Sequence, residues 1–111
     1  MARSRRFIFR GCQGIRRQNV NWDAIESVET VVLITAAQWR FFGGVFGSAG
    51  RPFLGDPGQE PKVYITNIGP HGSDQEAGGV EFLIHAESPH PIDVMVDLTV
   101  LGPPEQVDVI G

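Results

Sequence analysis

Two runs of alternating apolar and polar residues, 80–87 and 92–101, constrain the fold of this chain more than any other feature. Successive side chains of an extended chain point to opposite faces, so each run presents one continuous apolar face. Residues 88–91 connect the runs, and a connection this short is typical of an antiparallel hairpin. The stretch therefore predicts two amphipathic strands that pair and share one core.

Other segments also favour strands. Residues 30–35 are rich in β-branched side chains and carry apolar groups on both faces, which predicts a central strand or one covered by another layer. Residues 62–68 predict another strand, and 107–110 predict a short strand at a sheet edge. Residues 22–28 are compatible with one short helix, which the following β-branched residues would end.

Length and turn-forming residues place these segments in one domain. A chain of 111 residues can bury a single core. Its 14 glycines and 8 prolines suit many turns, and long loops are expected at 43–61 and 69–79. The predicted fold is all-β, a small antiparallel β-sandwich of about six or seven strands with an extended basic N-terminal arm.

Apolar residues in the first of these loops predict that it packs against another surface, of its own chain or of another subunit, since a solvated loop would not favour them. They are Phe46, Phe53 and Leu54. Glycines at 44, 47 and 50 follow a predicted strand, but no Lys-Ser/Thr pair follows them. A phosphate-binding loop is therefore not expected.

Charge is distributed unevenly along the chain. Six of the nine basic residues lie within the first 17 positions, where there is no acidic residue. All 13 acidic residues follow, together with only three basic ones. The sequence therefore predicts a basic arm, 1–21, joined to an acidic β-sandwich domain, 22–111.

Four roles compete for the arm: a transit peptide, a twin-arginine export signal, a nucleic-acid or anionic-surface contact, and a structural arm. The export signal lacks the apolar segment that should follow its arginine pair. The acidic domain would repel nucleic acid, so nucleic acid is not an expected partner. A structural arm is favoured, and it remains open whether it pairs within its own sheet or with a neighbour.

Residues that could perform chemistry have no usable spacing. The single cysteine, Cys12, excludes an intrachain disulfide and a thiolate zinc site, and a buried free thiol is expected. The three histidines match no ligand signature. No apolar run approaches the roughly 20 residues of a membrane span. We therefore expect no catalytic residue, cofactor or metal site, and no enzymatic activity.

The leading functional prediction is a structural subunit that self-associates into a homo-oligomer or filament. Its basic arm would dock on the acidic domain of a neighbour. The predicted arm contacts are Arg5, Arg6, Phe7, Ile8, Phe9, Arg10, Arg16 and Arg17. The predicted acceptor face comprises Glu81, His85, Glu87, Asp93 and Asp97.

The alternative is a lectin-like β-sandwich module that binds carbohydrate. Aromatic rings beside polar loop residues suit that role. The candidate ligand loop comprises Trp39, Asn67, His71 and Asp74. The sequence does not identify the compartment, although an extracellular or surface assembly is the expected setting for such a subunit.

Overall fold

The computed structural model describes residues 2–44 and 49–111, and these residues form seven β-strands without a helix. The strands are β1 (Arg3–Cys12), β2 (Gly14–Asn21), β3 (Val31–Gly43), β4 (Ala49–Phe53), β5 (Lys62–Ser73), β6 (Glu76–Glu87) and β7 (Ile92–Gly102). Every pairing between them is antiparallel. The expected all-β antiparallel fold of about six or seven strands is confirmed.

The strands form two sheets around a common core. Sheet A has the order β1-β7-β3-β4, and sheet B has the order β2-β6-β5. The core is built from the apolar faces of the two alternating runs, with Phe82 and Ile84 from β6 and with Val94, Val96 and Leu98 from β7. Burial of each such side chain stabilises the fold by about 1.5–3 kcal/mol.

The hairpin predicted for residues 80–101 is wrong. β6 pairs with β2 and β5, whereas β7 pairs with β1 and β3. The two runs therefore share their apolar faces across the core rather than side by side. Residues 88–91, which include Pro89 and Pro91, cross between the sheets. Period-two alternation identifies a buried face, but it does not say whether that face is shared within one sheet or between two.

Both predicted long loops are shorter than expected. β4 lies within residues 43–61 and pairs with the end of β3. β5 and β6 extend into residues 69–79, where Ser73 pairs with Glu76 around a two-residue turn. Within its own chain Phe53 is half-buried, whereas Leu54 is 81% exposed. Phe46 lies outside the described residues.

Residues 22–30 form turns rather than the short helix that the sequence allowed. The Ile25 N–H donates to the Trp22 carbonyl oxygen at 3.0 Å, and the Trp22 N–H donates to the Gly78 carbonyl oxygen at 2.9 Å. Ile25 is fully buried and joins the core. This segment therefore closes one end of the space between the sheets.

The extended basic arm is not confirmed, because residues 3–21 are β1 and β2. These strands lie at an edge of sheet A and an edge of sheet B, respectively. Only Gln13 separates them, and the flanking Gly11 and Gly14 adopt left-handed φ values of 66° and 75° that favour glycine. Both sheets therefore combine strands from 1–21 with strands from 22–111.

Candidate assembly surface

The charge pairing predicted between neighbouring copies occurs within one chain. Arg6 on β1 forms a bidentate ion pair with Asp97 on β7, with N–O distances of 2.7 and 3.0 Å. Arg17 on β2 contacts Glu81 on β6 at 2.9 Å. Because each pair joins an edge strand to the strand beside it, these contacts hold the basic strands to their own sheets.

The remaining arginines of β1 and β2 lie over aromatic rings. The guanidinium groups of Arg3 and Arg5 lie 5.3 and 5.5 Å from the ring centre of Trp22. Arg10 lies 4.6 Å from the centre of the Phe41 ring. Arg16 similarly lies 5.1 Å from the ring centre of Phe9. Cation–π contacts at exposed sites are worth about 0.5–1 kcal/mol each. All six N-terminal arginines therefore have an acidic or aromatic partner in their own chain.

The predicted acceptor residues do not form one surface. Glu81, His85 and Glu87 lie on the outer face of β6 in sheet B, because their neighbours in sequence point into the core. Asp93 and Asp97 lie on the outer face of β7 in sheet A. These two faces point away from each other, so one docking segment cannot cover both.

Two pKa shifts reflect the contacts between edge strands and their neighbours. Hydrogen bonding to Asp97 raises the pKa of Arg6 above its usual value. The hydrogen bond and charge of Arg17 lower the pKa of Glu81 below its usual value. Both shifts favour the ionised forms that make the pairs, so the contacts persist at neutral pH.

An aromatic stack occupies the outer face of sheet B. The rings of Tyr64 and His85 lie 4.4 Å apart and nearly parallel. His85 also shares a hydrogen bond of 2.6 Å with the Thr66 hydroxyl, and the Tyr64 hydroxyl donates to Glu87 at 3.2 Å. Desolvation, with a smaller effect of Glu87, raises the pKa of Tyr64. These contacts fix both rings on the sheet surface.

The residues of the predicted ligand loop are divided between the sheets. Trp39 belongs to sheet A and is only 8% exposed. Asn67 and His71 belong to β5 of sheet B, and Asp74 lies in the turn that follows. His71 shares a hydrogen bond of 2.6 Å with Asn19. The buried indole cannot serve as an open stacking platform for a ligand beside His71.

β1 leaves its outer edge open. It pairs with β7 on one side, and no described strand pairs with the other. Phe7 and Phe9 pack against the core, whereas Ile8 lies opposite Met95 on the outer sheet face. All three residues at the centre of β1 remain half-buried. An additional strand along this edge would cover them and satisfy the unpaired backbone groups.

The segment 103–111 is also unpaired, and every one of its residues is exposed. It forms no strand, so the predicted edge strand at 107–110 is absent. Val107, Val109 and Ile110 are 74%, 95% and 93% exposed. The residue pattern of this segment favours a strand. The pattern does not reveal that both sheets of the same chain leave the segment unpaired.

Within the described residues, no group of three or more His, Cys, Asp or Glu side chains is arranged to hold a metal ion. Those residues also include no helix long and apolar enough to cross a membrane. Cys12 is a free, buried thiol, in agreement with the sequence-based expectation. Its Sγ donates a long hydrogen bond to the Phe9 carbonyl oxygen.

Comparisons with protein-family models, with curated proteins and with solved structures find no match to this chain.

Proposed function

We propose that this protein is a non-enzymatic structural subunit that self-associates into a homo-oligomer or filament. Its basic N-terminal strands contact an acidic segment of a neighbouring copy. The open edge of β1 is the observation that carries this proposal, since the half-buried Phe7, Ile8 and Phe9 lie along it. Addition of a strand to a sheet edge combines backbone hydrogen bonds with side-chain contacts and is a common mode of recognition.

The basic strands act as the acceptor in this proposal, which reverses the role expected from the sequence. Asp97 and Glu81 were expected to receive the arm of a neighbour, but they already pair with Arg6 and Arg17 of the same chain. A neighbouring arm would have to displace those contacts. The outer edge of β1 requires no such displacement, because no described strand covers it.

The contact proposed here joins different surfaces of two copies. A head-to-tail contact of this kind closes into a ring when the rotation between copies permits it, and otherwise continues as a filament. Each copy contributes one donor segment and one acceptor edge. Both forms of assembly are therefore compatible with the proposal.

The carbohydrate-binding alternative has less support. The stack of Tyr64 and His85 is the exposed aromatic group that most resembles a surface for binding a sugar ring. Trp39, the ring at the centre of that hypothesis, is buried in the other sheet. We therefore favour self-association.

A charge placed on the edge strand tests this function. Replacing Ile8 with Lys puts an ammonium group on the outer face of β1, and lysine on an edge strand opposes strand addition. We expect Ile8→Lys to reduce the assembly to single chains, as measured by light scattering coupled to size-exclusion chromatography. Circular dichroism would establish that the variant remains folded.

Leu33→Lys is the matched control. Leu33 lies on the same outer face of sheet A and is 52% exposed, but it belongs to a central strand. We expect this variant to assemble like the wild type. A wild-type protein that stays a single chain at every concentration would overturn the proposed function, and so would an Ile8→Lys variant that is folded and fully assembled.

A further inference from the structure

We infer that residues 105–110 of one copy add as an extra strand to the outer edge of β1 in a neighbouring copy. This inference rests on the proposed function and names the segment that supplies the contact. The segment is six residues long, which is an ordinary length for a strand. It exposes its apolar side chains almost completely, whereas the β1 edge keeps three central residues half-buried. Joining the two buries apolar surface on both sides of the contact.

The side-chain patterns of the two segments match face by face. In an extended conformation, Glu105, Val107 and Val109 lie on one face of the donor segment, and Gln106, Asp108 and Ile110 lie on the other. Phe7 and Phe9 of β1 share its inner face with Arg5, which can pair with Glu105. If the valines face the core, they extend the apolar inner surface of sheet A. The alternation is compatible with either direction of the added strand.

The same arrangement places one apolar pair and one pair of opposite charges on the outer face of sheet A. Ile8 of β1 lies there, with the ion-paired Arg6 on the same face. Ile110 can pack beside Ile8, and Asp108 shares that face with Ile110. The alternation thus allows one apolar contact and one favourable charge contact outside the core.

Net charge also favours the pairing. β1 carries four arginines and no acidic residue. Residues 103–111 carry Glu105 and Asp108 and no basic residue. Opposite charges on the donor segment and its acceptor edge speed association and disfavour the pairing of two donor segments with each other.

The chain leaves its own sheet in a way that suits an intermolecular contact. Gly102 ends β7 with a left-handed φ of 86°. Pro103 and Pro104 follow, and consecutive prolines favour an extended, semi-rigid conformation. Since every residue from 103 onward is exposed, the segment does not return to either sheet of its own copy.

Substitution of the donor valines in the full chain tests the inference. The double variant Val107→Asp/Val109→Asp places two carboxylates where the core-facing side chains would lie. Because both valines are exposed in the single chain, the fold should be unaffected. We expect the apparent dissociation constant of the assembly to rise at least about tenfold, as measured by sedimentation velocity.

Val28→Asp is the control for added surface charge. Val28 is 65% exposed and belongs neither to β1 nor to the donor segment. We expect its dissociation constant to stay within about twofold of the wild-type value. A similar loss of assembly in Val28→Asp and in the valine double variant would overturn the inference.

Mixing two defective variants gives a second measurement. The valine double variant keeps an intact β1 edge, and Ile8→Lys keeps an intact donor segment. An equimolar mixture should therefore form dimers of one copy of each, at a protein concentration at which each variant alone stays a single chain. A mixture that remains monomeric, with both variants folded by circular dichroism, would overturn the inference.

The failures of the inference and of the proposed function are distinguishable. If Ile8→Lys abolishes assembly and the valine double variant assembles like the wild type, the β1 edge binds another segment and only the inference fails. If the wild-type protein does not assemble at all, both fail.

Discussion

The arginines near the start of the chain have acidic or aromatic partners within their own subunit. The sequence predicted that these cations would meet the acidic residues of the domain, and Arg6 does pair with Asp97. The sequence could not show that the partners belong to the same chain, because that depends on which strands become neighbours. Nor could it show that Arg10 would lie over Phe41, since cation–π pairs have no fixed spacing.

Removal of the Glu81 charge should change the acid dependence of stability. Arg17 lowers the pKa of Glu81 in the folded protein below its ordinary value of 4.5. The stabilisation is therefore present above that ordinary value and is lost as the pH falls through the lower folded pKa. We expect Glu81→Gln to be less stable than the wild type at pH 7, and equally stable once Glu81 is protonated.

Urea denaturation at several pH values measures this difference. Glu29→Gln is the control, because Glu29 is exposed and forms no ion pair with the described residues. A Glu81→Gln deficit that stays constant down to pH 2 would contradict the assignment.

Strand identity could be predicted from the sequence more completely than strand pairing. The alternation of 80–87 and 92–101 identified β6 and β7 and most of the core. It did not reveal that residues 88–91 cross between sheets, because both arrangements bury the same side chains. The turn-rich loop expected at 69–79 was largely wrong. Gly72 and Gly79 lie within strands, at points where backbones approach closely.

The turn segment 22–30 should contribute strongly to stability through one residue. Ile25 is fully buried, so Ile25→Ala leaves a cavity and should lower the free energy of unfolding by about 2–5 kcal/mol. Val28 in the same segment is 65% exposed, and Val28→Ala should change the free energy of unfolding by less than about 0.5 kcal/mol.

Urea titrations measure the two changes in the free energy of unfolding, when both variants are fitted with the same dependence of that free energy on urea concentration. Equal effects of the two substitutions would show that the segment does not close the core as described.

At the scale of the whole molecule, the two sheets bury a common core but leave backbone groups unpaired at the sheet edges. The all-β fold class was predictable, because it follows from residue patterns along the chain. The open edge of β1 and the exposed segment 103–111 were not, because each depends on where the other strands end. The proposed self-association accordingly uses the parts of the chain that the single subunit leaves unpaired.

Sedimentation velocity of the wild-type chain over a wide range of protein concentration tests self-association most directly. We expect a weight-average mass that rises with concentration above that of one chain and a boundary that shifts to faster-sedimenting species. A single boundary with the mass of one chain, unchanged across the whole range, would contradict it.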